Sequence, residues 1–168
     1  NHSEYHFGCH CGYFDYMTTG MKRIVVAVDG SPVSEAPLQQ AVGLAQQAKA
    51  NLTGVFVVDT QWADFIGADW QSSRNARQGF LDYLRREQEQ QAELAGRQFE
   101  NHSRHLFAPV FQVLAGDPTA VLLTLATQAD TEVLLLSRRV FQVCGRPSSK
   151  TLAQQLCKRA TQPIWLWP

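Results

Sequence analysis

The chain has 168 residues, and its 15 Lys and Arg residues balance its 15 Asp and Glu residues, so the formal net charge is zero. This length allows one domain with a substantial core but not two ordinary domains. A neutral chain has no overall field that would draw it to nucleic acid or to an anionic membrane, so neither is expected as a partner.

Cysteine spacing points to a reducing compartment, and the absence of long apolar runs points to the cytosol. Cys9 and Cys11 stand near the start, whereas Cys144 and Cys157 lie far along the chain, and this is not the spacing of a disulfide framework. No apolar run approaches the roughly 18 residues of a membrane helix, and the opening segment lacks the apolar stretch of a signal peptide. We therefore predict a cytoplasmic protein.

Residues 1–20 are interpreted as a tail or an upstream extension, and residues 21–168 as the folded domain. The opening segment is rich in His, Tyr, Gly and Cys, shows no helical or strand periodicity, and precedes Met21. Its metal-ligating residue types are His2, His6, Cys9, His10 and Cys11. No metal site is predicted, because the two thiols are only one residue apart and no second ligand pair follows.

The first strand is predicted over residues 23–28, where the continuous apolar, largely β-branched run is typical of a strand covered on both faces. Asp29-Gly30-Ser31-Pro32 follows with turn chemistry, and apolar residues then recur at helical spacing. We predict Ser34 as the helix N-cap. Pro37 then falls in the first turn, where its missing N–H costs nothing.

The second strand is predicted over residues 52–58, closed by Asp59. Residues 60–73 carry Trp62, Phe65, Ile66 and Trp70 and are too apolar for a free linker. We expect this connection to fold over the domain, where a lid is one possible role. A charged helix is predicted from Ser73 to about Glu100. Its expected inward stripe consists of Leu81, Leu84, Leu94 and Ala95.

The second half of the chain repeats the pattern. A third strand is predicted over residues 107–114, and Gly116-Asp117-Pro118 supplies a turn, an N-cap and a proline at the first helical position. A helix over residues 118–129 and a short buried strand over residues 133–136 follow. Ser148 or Ser149 is expected to cap a last helix that runs to about Ala160, before a final strand over residues 164–167.

Five strands that alternate with four helices predict an α/β fold, with right-handed crossovers and a mainly parallel sheet. In such a fold the ligand crevice lies beyond the carboxyl ends of the strands. Asp29, Val57 and Ser137 are expected to lie there.

Five blocks of this sequence resemble the universal stress protein family, in the order and at the intervals of that family. Residues 24–32 with Ser34 resemble its first strand and loop. The later blocks are Val55 to Asp59, Gly116-Asp117-Pro118, Asp130 to Leu136, and Pro163 with its apolar tail. The resemblance covers nearly all of residues 22–167. It implies a Rossmann-like three-layer sandwich of the adenine nucleotide alpha hydrolase type with a five-stranded parallel sheet, a homodimer often joined through the last strand, and a role in stress survival.

The expected dimer strand consists of Ile164, Trp165, Leu166 and Trp167. Strand alternation places the two tryptophans on one face and Ile164 with Leu166 on the other. Aromatic side chains suit a dimer seam, and they equally suit packing under the helices of their own protomer. Both readings stay open at this point.

Many members of the family bind ATP through a loop with the pattern Gly, two residues, Gly, nine residues, Gly, then Ser or Thr. Ser137, Val140, Lys150 and Thr151 stand at these positions here, and only Thr151 fits. Glycines let backbone N–H groups approach phosphates, whereas a valine at such a position disfavours the required dihedrals and fills the space. The resemblance is therefore to members without this loop, and no cofactor is expected.

A nucleotide-binding alternative rests on charge near the same crevice. Arg138, Arg139, Arg146 and Lys150 are candidates to hold an anion, although solvated loop cations are commoner. Asp29 either orients a ribose or base or caps its own turn, and Val57 matches the position whose backbone contacts adenine in family members that bind ATP. The candidate nucleotide-binding residues are Asp29, Gly30, Val57, Ser137, Arg138, Arg139, Val140, Lys150 and Thr151.

No catalytic constellation is evident, because the sequence has no Gly-x-Ser-x-Gly elbow and no base is paired with either late cysteine. The leading hypothesis is a non-enzymatic, dimeric stress-response module that acts through an unidentified protein partner and lacks a standard ATP site. The alternative is a nucleotide-binding regulator, or a slow ATPase, in which basic residues replace the glycine loop.

Overall fold

The structure, a computed structural model, describes residues 22–68, 74–148 and 150–168. Its elements in chain order are β1 (Arg23–Ala27), a 3₁₀ turn (Pro32–Ser34), α1 (Glu35–Ala48), β2 (Asn51–Asp59), α2 (Trp62–Ile66), α3 (Arg74–Ser103), β3 (Val110–Gly116), α4 (Pro118–Ala126), β4 (Thr131–Ser137), α5 (Leu152–Arg159) and β5 (Ile164–Trp167). The predicted tail over residues 1–20, Trp70, Ser73 and Ser149 lie outside the described residues.

The five strands form one parallel sheet in the order β3-β2-β1-β4-β5. One core cluster joins the sheet to α1 and α3, and a second joins its other face to α4 and α5. Residues 24–28 are therefore fully buried, with side chains that alternate between the two clusters. The predicted three-layer α/β sandwich is confirmed.

Ser34 stands at the N-cap position of α1, as predicted, and Pro37 is tolerated in the first turn. The Ser34 side chain does not cap the helix. Instead, its hydroxyl donates to Asp29 Oδ1 over 2.8 Å and accepts from the Asp29 N–H over 3.0 Å. The serine thus stabilises the loop after β1 rather than the helix that it precedes.

The predicted inward stripe of α3 is partly wrong. Ala95 is buried, but Leu94 is 46% exposed. The buried positions are Gln88, Ala92, Ala95, Gln98, Phe99 and Ser103. They all lie from Gln88 onward in a 30-residue helix, because this part of the helix packs on the sheet. The buried face of α3 thus includes alanine and glutamine side chains, and the predicted leucine stripe does not identify this face.

Other boundaries differ for local reasons. β3 begins at Val110 rather than Phe107, because Ala108 has a left-handed φ of 48° and Pro109 follows it; Phe107 is 93% exposed. Asp117 as the N-cap and Pro118 at the start of α4 are confirmed. The helix ends at residue 126 rather than at the predicted residue 129. The connection after β2 contains a fifth helix, α2, which the count of four missed.

The cap of α5 is Thr151, so the prediction of Ser148 is wrong. The Thr151 hydroxyl oxygen accepts from the Gln154 N–H over 3.2 Å, and the Gln154 side chain accepts from the Thr151 N–H over 2.9 Å. This reciprocal pair is a capping box, which satisfies two N–H groups at the helix start.

β5 spans the predicted residues and forms one edge of the sheet. Ile164 and Leu166 are buried beneath α5, whereas Trp165 and Trp167 are half-buried against the α1 side of the core. The two indole rings lie 6.3 Å apart between centroids. Both tryptophans therefore contact the core of their own protomer.

Candidate functional site

Three aspartates stand where neighbouring parallel strands end. Asp29 follows β1, Asp59 closes β2, and Asp117 follows β3. The carboxyl ends of parallel strands meet at one edge of the sheet, which in this fold class is where ligands bind. We call the space above these ends the crevice.

Asp29 is 1% exposed, and both oxygens of its carboxylate accept hydrogen bonds from the protein itself. Oδ1 accepts from the Ser31 N–H and hydroxyl at 2.9 and 2.7 Å and from the Ser34 hydroxyl at 2.8 Å. Oδ2 accepts from the Phe141 N–H at 3.0 Å. A carboxylate has about four acceptor sites. Four donors of the protein therefore hold the Asp29 carboxylate in its own turn and against Phe141.

Glutamines of α3 satisfy the backbone groups at the strand ends. Gln88 accepts from the Asp59 N–H over 2.6 Å and donates to the Asp59 carbonyl over 3.3 Å. Gln91 donates to the Asp29 carbonyl over 2.5 Å. The side chains of α3 thus use polar groups that an open crevice would offer to a ligand.

Gly30 is used for helix packing. Its φ is 80°, and a Cβ built there would stand 2.7 Å from Leu94 Cβ and 2.8 Å from the Ala95 nitrogen. Gln98 also accepts from the Gly30 N–H over 3.0 Å. The glycine is required because α3 crosses directly over it, which accounts for its place in the first loop without a phosphate.

The segment after β4 turns back into the crevice, and we call its residues 138–148 the strap. Val140 is 2% exposed in the core on the α4 side. Phe141 follows with φ 63° and places its ring edge-on against Phe56, with centroids 5.5 Å apart. Its N–H bonds to Asp29. The strap thus inserts an aromatic ring above the ends of the central strands.

Arg146 fixes the other end of the strap. Its Nε donates to Asp59 Oδ2 over 2.6 Å and its Nη2 donates to Asp117 Oδ1 over 2.9 Å. The second oxygen of Asp117 accepts from Ala120 at the start of α4. Burial opposes the charge of Arg146, but the hydrogen bonds and charges of the two aspartates outweigh burial and raise its pKa. The guanidinium thus ties the strap to the ends of β2 and β3.

α2 supports the middle of the strap. The Trp62 indole N–H donates to the Cys144 carbonyl over 3.3 Å, and its ring lies edge-on to Phe65 and Phe80. Burial raises the pKa of the Cys144 thiol, and the charges of Glu87 and Asp29 add to that effect. The described part of the connection, residues 60–68, thus contacts the strap through Trp62.

Little free space remains in the crevice. Its lining residues are Asp29, Phe56, Val57, Gln88, Gln91, Phe141, Val143 and Cys144. The free volume between them is about 10 Å³, which is close to the smallest cavity that holds one water molecule. Pockets for drug-sized ligands measure about 300 to 1,000 Å³. The crevice is therefore closed by the chain itself.

The structure does not bring the basic candidates together in the crevice. Arg138 and Arg139 are exposed where β4 ends, and the Arg138 N–H bonds to the Trp167 carbonyl. Lys150 is exposed and lines a shallow surface depression with Lys158 and Arg159. Of the four arginine and lysine candidates, Arg146 reaches the aspartates.

The other candidates have structural partners. Ser137 is buried, and its hydroxyl donates to the Pro168 carbonyl over 3.2 Å. Val140 and Val57 are each 2% exposed, and Thr151 caps α5. Ser137 and Val57 lie at the carboxyl edge as expected, but each is covered by the protein.

Phe141 and the α3 glutamines were missed by the sequence reasoning. Gln88, Gln91 and Gln98 fall on one face of α3, so their helical spacing was a usable signal. Phe141 carried no such signal, because aromatic residues rarely adopt a left-handed φ and no pattern in a loop sequence predicts one.

Neither a metal centre nor a membrane helix is evident in the described part of the chain. There, no three His, Cys, Asp or Glu side chains are grouped to hold a metal ion. No helix within residues 22–68, 74–148 and 150–168 is long and apolar enough to cross a membrane.

Comparison with known proteins gives a family match over most of the chain. The family model described as the universal stress protein family matches residues 20–165. No curated protein sequence matches the chain closely enough to count as a relative.

Solved structures share the fold. Universal stress protein UspA from Lactobacillus plantarum is 22% identical, with a TM-score of 0.62 over 88% of this chain and 98% of that chain. A protein from this family from Burkholderia pseudomallei is 21% identical, with a TM-score of 0.56 over 88% and 96% of the respective chains. The Archaeoglobus fulgidus universal stress protein in complex with dAMP is 15% identical, with a TM-score of 0.51 over 86% and 96%. At these identities the likeness establishes the fold alone.

Proposed function

This chain belongs to the universal stress protein family, and on that premise we propose that it is a non-enzymatic stress-response module that acts as a homodimer through protein contacts. The observation that carries the proposal is the closed crevice. Phe141 fills the space above β1 and β2, and Arg146 forms ion pairs with both Asp59 and Asp117. A nucleotide cannot enter this space without displacing the strap.

The backbone groups of β5 support the homodimer. The Pro163 and Trp167 carbonyls accept from Leu134 and Arg138, so they point towards β4. By strand alternation, the N–H and C=O groups of Ile164 and Leu166 point away from the sheet. No strand in the described ranges pairs with this edge, and it carries no charged residue to block pairing. An antiparallel β5 of a second copy would satisfy these groups.

The proposed setting is the cytoplasm, with a protein partner and without nucleic acid or membrane contacts. A formal net charge of zero argues against an overall electrostatic attraction to nucleic acid or to an anionic membrane. The spacing of the four cysteines is not that of a disulfide framework, which supports a reducing compartment.

A nucleotide-binding regulator is the second candidate. The A. fulgidus universal stress protein has this fold and was solved in complex with dAMP, which supports nucleotide binding as the second candidate. In this chain such binding requires the strap to leave, since Phe141 bonds to Asp29 and its ring packs against Phe56 in the crevice.

Calorimetric titration of nucleotide-stripped protein with ATP and Mg²⁺ tests the proposal, with the mass of any co-purified ligand recorded first. We expect no bound nucleotide and no heat of binding up to about millimolar ATP, which corresponds to less than about 4 kcal/mol of binding free energy. Micromolar affinity, or a retained nucleotide, would contradict the proposal and favour the regulator.

A further inference from the structure

We propose that the free edge of β3, with a groove between β3 and α3, binds an extended segment of the protein partner, and that this segment alternates apolar residues and carries one basic residue. The inference rests on the proposed function, because it assigns a surface to the protein contacts proposed there. The groove lies at the amino end of β3, beside Pro109 and Phe111, whereas the crevice lies beyond the carboxyl ends of the strands.

The β3 edge lacks the features by which native proteins usually protect an edge strand. Its seven residues, Val110–Gly116, include no proline and no charged residue, and they pair with β2 in an unbroken register. Val110 is 46% exposed and Val113 is 50% exposed, and no strand in the described ranges pairs with the outer side of β3. A long, uncharged edge of this kind is a template for another strand.

Three residues of β3 direct their backbone groups outward. The Gly116 carbonyl accepts from the Thr60 N–H just beyond β2, so Gly116 faces β2. By strand alternation, the N–H and C=O groups of Phe111, Val113 and Ala115 face away from the sheet. An extended segment beside β3 would pair with these groups, as in peptide recognition by strand addition.

A groove lies on the α3 side of the same edge, and its volume is about 460 Å³. Sites that bind small ligands have volumes of about 300 to 1,000 Å³, so the groove has room for side chains. Along an added strand, every second side chain would point to this side of the sheet. The lining residues are Glu93, Gly96, Arg97, Phe99, Glu100, Ser103, Pro109 and Phe111.

The floor of the groove is aromatic, and a glycine leaves it open. The rings of Phe99 and Phe111 lie 5.6 Å apart between centroids. A Cβ at Gly96 would stand 3.3 Å from Phe111 Cε1, so any larger residue at this position would cover that ring. Apolar side chains of a partner are therefore expected to pack here.

The rim of the groove carries an unmatched negative charge. Arg97 Nη2 lies 4.0 Å from Glu93 Oε2, so these two charges offset each other. Glu100 is exposed and forms no ion pair within the ranges that the structure describes. A Lys or Arg on the bound segment would complement Glu100, since opposite charges on neighbouring elements attract.

The edge strands of this chain do not supply that chemistry. β3 and β5 carry no charged residue, so a second copy that paired through either strand would leave Glu100 unmatched. Pairing of β3 with β3 would also join the proposed β5 dimers into an open chain of copies. The expected occupant is therefore a segment of a different protein.

A phage-displayed library of random peptides of about ten residues, the upper length of ordinary strands, provides the probe. Selection on the immobilised parent protein should yield peptides with apolar residues at alternate positions and one Lys or Arg. A synthetic copy of such a peptide should shift the N–H signals of Phe111, Val113 and Ala115 in NMR spectra of the parent.

Gly96→Leu tests the groove, and Gly79→Leu is its matched control. Both changes place the same side chain on α3, but Gly79 lies outside the groove and has open space around it. We expect Gly96→Leu to weaken peptide binding at least about tenfold, because the added side chain fills the groove. Gly79→Leu should bind like the parent. Circular dichroism checks that both variants are folded.

Glu100→Lys gives a second route if Gly96→Leu does not fold, because Glu100 is exposed. This variant should bind the selected peptide about two- to fivefold more weakly, the scale of a cross-strand charge pair. It should prefer a copy of the peptide in which glutamate replaces the basic residue.

Three results would overturn the docking surface: a selection that yields no alternating peptide, unchanged N–H signals of β3, or parent-like binding by a folded Gly96→Leu variant. A Glu100→Lys variant without the changed preference would overturn the basic residue of the partner. Light scattering of the parent separates these failures from that of the proposed function. A monomer that still binds the peptide at β3 would contradict the homodimer alone, and a dimer without binding at β3 would overturn the docking surface alone.

Discussion

At the scale of single residues, the strap depends on Phe141 because this residue connects both sides of the protein. Its side chain packs against the core clusters on both faces of the sheet. A left-handed φ is uncommon for an aromatic residue, so the conformation is maintained by these contacts and by the bond to Asp29. One residue thus joins the strap to the whole core.

Substitution Phe141→Ala should lower the free energy of unfolding by about 3 kcal/mol, because large-to-small changes at aromatic core positions cost about that much. Urea unfolding followed by tryptophan fluorescence measures this loss. Phe107→Ala is the matched control, since Phe107 is 93% exposed, and it should change stability by less than about 0.5 kcal/mol. Equal losses in the two variants would mean that the Phe141 ring is not packed in the crevice.

At the scale of elements, the strands were predictable and the segments between them were not. β5 was predicted to the residue and β1 to within one, because strands covered on both faces read as continuous apolar runs. The face of α3 was mispredicted, since its contact with the sheet uses Ala95 and amides rather than Leu94. The strap has no periodicity, so its path depends on tertiary contacts that sequence patterns do not encode.

The cap of α5 illustrates a signal that was present and passed over. Thr151 and Gln154 have the spacing of a capping box, three residues apart, yet the preceding serines were favoured. Both the crevice position and the loss of the glycine loop followed from the sequence. The sequence did not predict that the chain itself fills the crevice. A sequence pattern shows which loop is absent but not where the replacing segment folds.

Thr151→Ala should therefore destabilise the protein by about 1 kcal/mol, the usual cost of losing a helix cap. Ser148→Ala, three residues earlier and exposed, should leave stability unchanged. Thermal unfolding of both variants beside the parent checks this. A larger loss for Ser148→Ala would show that the helix starts where the sequence alone suggested.

At the scale of the whole molecule, the sheet has two edges, β3 and β5, and the proposed dimer uses β5. The four residues of β5 alternate between buried aliphatic and half-buried indole side chains, so the edge offers backbone groups rather than a large side-chain surface. Pairing through such an edge depends on outward N–H groups and is sensitive to their removal.

Leu166→Pro should give a monomer, because proline removes the outward N–H of residue 166 while the bonds to β4 come from neighbouring positions. Leu166→Ala is the matched control. It loses comparable side-chain packing but keeps the N–H, so it should remain a dimer. Light scattering after size exclusion measures both masses. A dimeric Leu166→Pro variant that is folded would place the interface elsewhere.

The closed crevice is tested most directly by amide hydrogen exchange at Phe141 in the intact protein, followed by NMR with and without ATP. The N–H of Phe141 donates to the buried carboxylate of Asp29. We therefore expect it to exchange at least about a hundredfold more slowly than an unstructured amide, with no change in its signal when ATP is added. Exchange at the unprotected rate, or a shift of this signal on addition of ATP, would contradict a crevice filled by the protein's own strap.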